Sequence, residues 1–107
     1  MTYDELLNNI NNSPILDGKN HCITKIPTLG GLSSFSVCNY NGEISVVNSS
    51  GNAMTVSRNL YDDVWQRDRA LKNRTQANNY NSPNWSSCPN NVLAPYLPAL
   101  WRHLGIK

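Results

Sequence analysis

The feature that most constrains this chain is Asn41-Gly42, set between two runs in which apolar and polar residues alternate. Both residues accept positive φ, so the pair predicts a two-residue type I′ turn. Before it, Ser34–Tyr40 places Phe35 and Val37 on one side and Ser34, Ser36 and Cys38 on the other. After it, Glu43–Val47 returns with Ile44 and Val46 on one side. A looser turn at 48–52 leads into a third run, Ala53–Val56. Ser57 then stands where a helix N-cap is needed, opening an amphipathic helix over Arg58–Lys72 with a stripe of Leu60, Tyr61, Val64, Trp65 and Leu71. Hairpins feeding a capped helix point to an α+β fold.

The remaining elements follow the same logic. Thr2 and Glu5 form a capping-box pattern ahead of Tyr3, Leu6, Leu7 and Ile10 at helical spacing. Asn11-Asn12-Ser13-Pro14 ends that helix, and 15–20 reads as a connection. His21–Ile26 is a short strand interrupted by Pro27, and Gly30-Gly31 allows a bend. Leu93, Leu97, Leu100 and Leu104 mark a C-terminal helix, with Pro95 and Pro98 in its first turn and Gly105 ending it. Between the last two helices, 73–91 has little to bury and reads as an extended polar loop. The expected architecture is a single domain over 1–107. It runs from an N-terminal helix through an antiparallel three- to four-stranded meander to a long helix, the polar loop and a C-terminal helix, with the helices on one face of the sheet.

Composition narrows function mainly by exclusion. Only 15% of residues are charged and 17 of 107 are asparagine, so neutral amides carry much of the polarity. No apolar run approaches the roughly 18–20 residues of a membrane span, and 1–5 is unlike a signal peptide, so no membrane partner and a cytoplasmic location are expected. Three widely spaced cysteines, Cys22, Cys38 and Cys88, suggest reduced thiols rather than a disulfide framework. His21 and Cys22 are adjacent and project to opposite faces of a strand, so neither a metal site nor another cofactor is expected. No nucleophile, P-loop or dinucleotide signature is present, and no catalytic residues are assigned.

Charge is unevenly placed. The net charge is +2, but seven cations against three acids in the second half leave it about +4. Arg58, Arg67, Arg69, Asn73, Arg74, Asn78, Tyr80 and Trp85 form the candidate nucleic-acid-binding set: arginine forks and amides suit phosphates and base edges, and aromatics suit unpaired bases. For Trp85 the competing role is to anchor the loop in the core. The arginines compete with a plain role as solvated charges.

Pro27-Thr28-Leu29-Gly30-Gly31, Phe35, Val37, Ile44, Ser50-Gly51, Ser57-Arg58, Val64-Trp65 and 94–100 together resemble a small α+β module. That module occurs mainly in uncharacterised stand-alone bacterial proteins, including products of mobile, integron-type gene cassettes. Similar segments accompany nucleic-acid-processing enzymes such as restriction systems. The resemblance, over about 27–104, implies a binding or accessory role without a catalytic centre and transfers no functional residues. Three function classes stay open: a non-enzymatic nucleic-acid-associated module, a protein-interaction or homodimeric domain, and a small-ligand pocket lined by Tyr61, Trp65, Trp85, Tyr96 and Trp101.

Overall fold

The structure, a computed structural model, describes residues 1–16, 18–71 and 96–106. Its elements are α1 (Tyr3–Asn11), β1 (Ile15–Leu16), β2 (Asn20–Pro27), β3 (Ser34–Tyr40), β4 (Glu43–Val47), β5 (Ala53–Val56), α2 (Arg58–Ala70) and α3 (Tyr96–His103). The strands form one antiparallel sheet in the order β1-β2-β3-β4-β5. This is the expected α+β fold, with one strand more than the expected three or four. The polar segment 73–91 lies outside the described residues.

Local chemistry accounts for the element ends. Thr2 Oγ1 accepts from the Glu5 amide and Glu5 Oε1 accepts from the Thr2 amide, both at 3.1 Å, completing the capping box. Asn41 and Gly42 have φ of 56° and 85°, as a type I′ turn requires. Ser57 Oγ accepts from the Leu60 amide at 3.1 Å and caps α2. That helix stops at Ala70, two residues short of expectation, because Leu71 is already extended at ψ 138°. At the end of α3, the Ile106 amide reaches the Trp101 carbonyl and the Gly105 amide reaches that of Arg102, with Gly105 at φ 80°. That is a Schellman ending.

The extra strand β1 came from the segment read as a connection. Two residues are too few to show alternation, so the sequence carries no periodic signal there. Leu16 pairs with Asn20 and Ile15 with His21, and the Cys22 amide extends the contact to the Pro14 carbonyl at 3.1 Å.

One face of the sheet meets the helices. Ile26, Phe35, Val37, Ile44, Val46 and Val56 are buried there. Leu6, Ile10, Tyr61, Val64, Leu97, Leu100 and Trp101 fill the same core from the helices. At about 1.5–3 kcal/mol per fully buried large side chain, this layer is the dominant favourable term. Its aromatics pack edge to face: Tyr3 on Tyr61, Tyr61 on Trp101, Trp65 on Trp101 and Phe35 on Tyr96. Of the pocket aromatics, Tyr61, Trp65 and Trp101 are therefore spent on one another and Tyr96 on Phe35, while Trp85 lies outside the described residues. Tyr61 and Trp101 are fully buried. This corrects the pocket expectation for those residues.

A second correction concerns the cysteines. Cys22 and Cys38 stand opposite each other on β2 and β3 with Cα atoms 4.1 Å apart, and they are joined in a disulfide rather than reduced. The short separation is that of a non-hydrogen-bonded antiparallel pair. Alternation puts both on the sheet face opposite Val37 and Val46, yet their exposures are only 3% and 1%.

Candidate functional site

The candidate arginines are distributed around α2. Arg58 Nη2 donates to Asp4 Oδ1 at 2.7 Å, and the guanidinium lies over the Tyr3 ring at 4.5 Å. This hydrogen bond holds the Asp4 carboxyl below its ordinary range and raises the Arg58 guanidinium above its own. Arg67 Nε donates to Asp63 Oδ2 at 2.9 Å, the expected i, i+4 pair. Arg69 covers the Trp65 ring at 4.0 Å and reaches Asp68 at 3.7 Å.

At about 100° per residue, Arg67 sits roughly half a turn from Arg58. Arg69 returns to Arg58's side but about 16 Å further along the axis. The three thus form no single cationic face. Asn73, Arg74, Asn78, Tyr80 and Trp85 lie outside the described residues. The described side chains contain as many acids as bases, so the net +2 is carried by the remainder of the chain.

One ion pair was not anticipated. Asp68 has 0% exposure and receives two hydrogen bonds of 2.9 Å from Arg102, one to each carboxylate oxygen. Arg102 Nη1 also donates to the Pro98 carbonyl at 3.3 Å. The sequence did carry a signal: Leu60, Val64 and Asp68 recur at spacing four, which places a carboxylate on the apolar stripe. This fork ties α2 to α3 and is structural.

Tyr3 joins α1 to the end of the sheet. Its hydroxyl accepts from the Ile44 amide at 3.0 Å and donates to the Val56 carbonyl at 3.2 Å. Beside it, at the C-terminal end of β5, is a cleft of about 410 Å³ lined by Tyr3, Gly42, Glu43, Val56, Ser57 and Arg58. Its one arginine is already held by Asp4, and Glu43 adds a carboxylate. Among the described residues, no group of three or more His, Cys, Asp or Glu could hold a metal ion. His21 Nδ1 instead lies 2.6 Å from the Ser13 carbonyl.

The two sheet edges differ sharply. Beyond the short β1, the β2 edge carries a bulge between Ile23 and Ile26, Lys25 at φ 57°, and Pro27. Bulge, lysine and proline are the standard devices that stop another strand from adding. The β5 edge has none of them. It is Ala53-Met54-Thr55-Val56, uncharged and regular, with Ala53 and Thr55 exposed.

The backbone direction at β5 follows from the ladder. The tight turn makes Tyr40/Glu43 a bonded pair, so Ile44 and Val46 turn their peptide groups toward β5. The Asn48 amide bonds the Asn52 carbonyl at 3.0 Å, which gives the same phase. Met54 and Val56 therefore turn their peptide groups toward β4, with the Tyr3 hydroxyl bridging the Ile44 amide and the Val56 carbonyl, and the N–H and C=O of Ala53 and Thr55 point outward. Reading the sequence alone identified β5 but not its open edge, because edge status depends on strand order.

Among the described residues, these features define a small α+β domain with a five-stranded antiparallel sheet, guarded at one edge and open at the other. Comparison with family models, with curated proteins and with solved structures finds no match to this chain. No helix among the described residues is long and apolar enough to cross a membrane.

Proposed function

We propose that this chain is a non-enzymatic protein-interaction domain whose working surface is the β5 edge, engaged by addition of an extended strand. The observation that carries the reading is the contrast between the edges among the described residues: β1 is only two residues long and β2 beyond it is guarded by a bulge, Lys25 and Pro27, whereas β5 presents two unguarded peptide groups. Strand addition takes its affinity from main-chain hydrogen bonds and its selectivity from side chains on alternate positions. Ala53 and Thr55 supply the first. Met54 and the cleft at the end of β5 supply the second.

The test is selection of extended peptides from a display library against the domain, counter-selected on Thr55→Pro. The Thr55 amide points away from β4, so proline there removes an outward donor and leaves the internal ladder intact. Binders that slow exchange of the Ala53 and Thr55 amides and fail on the variant support the reading.

The nucleic-acid-associated module is the competing proposal, and anisotropy with labelled single- and double-stranded probes at about 50 and about 200 mM salt separates the two. Binding that falls steeply with salt and is lost in Arg58→Ala and Arg67→Ala, with the edge intact, favours nucleic acid. The dispersion of Arg58, Arg67 and Arg69 around α2 places it second.

A cytoplasmic address, proposed from the sequence, requires the Cys22–Cys38 bond to be reduced there, since disulfides persist in oxidising settings. Alkylation of the protein in intact cells, followed by mass measurement, distinguishes the two addresses.

A further inference from the structure

We infer that the occupant of the β5 edge is a second copy of this chain, paired antiparallel about a two-fold axis at Met54. This rests on the reading of β5 as an interaction edge and names its partner.

Three observations carry it. First, the outward peptide groups belong to Ala53 and Thr55, which are symmetric about Met54. Pairing Ala53 with Thr55 of the second copy, and Thr55 with its Ala53, satisfies all the outward donors and acceptors in two hydrogen-bonded pairs. Second, continuing that register sets Val56 opposite Asn52, Ser57 opposite Gly51 and Arg58 opposite Ser50. No like charges meet across it. Third, at the opposite side β1 is only two residues long and β2 beyond it is guarded, so among the described edges of this chain β5 finds its regular partner in another β5. Pairing one open edge with its own copy closes the assembly after two chains, whereas two open edges would grow a fibre.

The contact is short. A four-residue edge buries far less than the about 800 Å² per partner of a standard stable interface, so the dimer is reversible and concentration-dependent.

Met54 would face Met54 of the second copy across a non-hydrogen-bonded pair, where Cα atoms lie about 4.5 Å apart, within disulfide reach. Thr55 would instead face Ala53. The experiment compares Met54→Cys with Thr55→Cys, each in a Cys88→Ser background, under a glutathione redox buffer. Sedimentation velocity of the unmodified chain runs alongside, from tens of micromolar to about millimolar protein. The expected result is mass doubling with concentration, a covalent dimer from Met54→Cys at least ten-fold faster than from Thr55→Cys, and monomer only in both Thr55→Pro and Thr55→Lys. A chain that stays monomeric throughout, with the two cysteine variants crosslinking at equal rates, overturns the inference.

Titrating a synthetic peptide copying residues 51–58 into the ¹⁵N-labelled chain separates the two levels of the argument. Peptide-induced shifts at Ala53 and Thr55 in a permanent monomer reject the dimer and leave the interaction edge standing. Absence of both shifts and dimer rejects the two together.

Discussion

Replacing Asp68 by asparagine keeps the side chain's shape and removes its charge, leaving the Arg102 guanidinium opposite a neutral amide. Asp68 is fully buried and takes both 2.9 Å hydrogen bonds of a fork from Arg102. Breaking such a pair from one side costs about 3–5 kcal/mol, because the remaining charge stays in a poorly solvated place. The Arg102 side chain retains 19% exposure, so it can shift its head toward water. That puts the expected loss at the lower end, about 3 kcal/mol. A domain of this size has about 5–15 kcal/mol in total. With about 4–8 °C per kcal/mol, the midpoint should fall by roughly 12–24 °C. Urea unfolding of Asp68→Asn beside Asp63→Asn is the assay. Asp63 makes the part-exposed pair with Arg67, which is worth about 0.3–0.5 kcal/mol. The double variant Asp68→Leu/Arg102→Met should recover part of the loss, since it removes the buried carboxylate together with its fork partner, while Arg69, which also reaches Asp68, keeps its place on the Trp65 ring. Equal losses from Asp68→Asn and Asp63→Asn would refute the claim that this fork locks α3 onto α2.

Three other outcomes follow from the geometry. Tyr3→Phe removes the acceptor of the Ile44 amide and the donor to Val56, and should cost about 1–3 kcal/mol in chemical unfolding without altering the secondary structure seen by circular dichroism. Reduction of Cys22–Cys38, which closes a segment with a sequence separation of 16, should lower stability by about 3 kcal/mol on the chain-entropy account; an unchanged midpoint under dithiothreitol would argue against the bond. Burial pushes the Tyr61 hydroxyl up to about 12, against the lowering effect of its hydrogen bond from Trp101. The folded state thus keeps a proton that the unfolded chain loses near its ordinary value of about 10. Stability from this source is complete below pH 10 and is lost as pH rises through about 12, so ultraviolet titration should show a late-ionising component that Tyr61→Phe removes.

Local signals were legible in the sequence wherever a few adjacent residues carry the whole physics. The type I′ turn at Asn41-Gly42, the Thr2–Glu5 capping box, the Ser57 cap and the Gly105 ending each depend on a single turn of chain, and each is observed. What depended on register was not legible. Counting back from the Pro27–Ser34 pair would set Cys22 opposite Asn39. The bulge between Ile23 and Ile26 shifts the register by one and sets it opposite Cys38 instead. No composition rule announces that shift, and the third cysteine, Cys88, hid the pair by making the count odd. The Asp68–Arg102 fork joins residues 34 apart across two helices, so only Asp68's place on an apolar stripe hinted at it. The candidate arginines share a residue type and a region of the chain, and helical phase separates the described ones. The open edge required knowing that β5 ends the sheet.

The central claim is that the outward peptide groups of β5 are a docking surface. Amide hydrogen exchange at Ala53 and Thr55, followed residue by residue as protein concentration is raised, tests it most directly. Exchange should be fast in dilute solution, slow as concentration rises, and stay fast at Ala53 in Thr55→Lys. Slow exchange already in the dilute monomer, or fast exchange at every concentration, would contradict the claim.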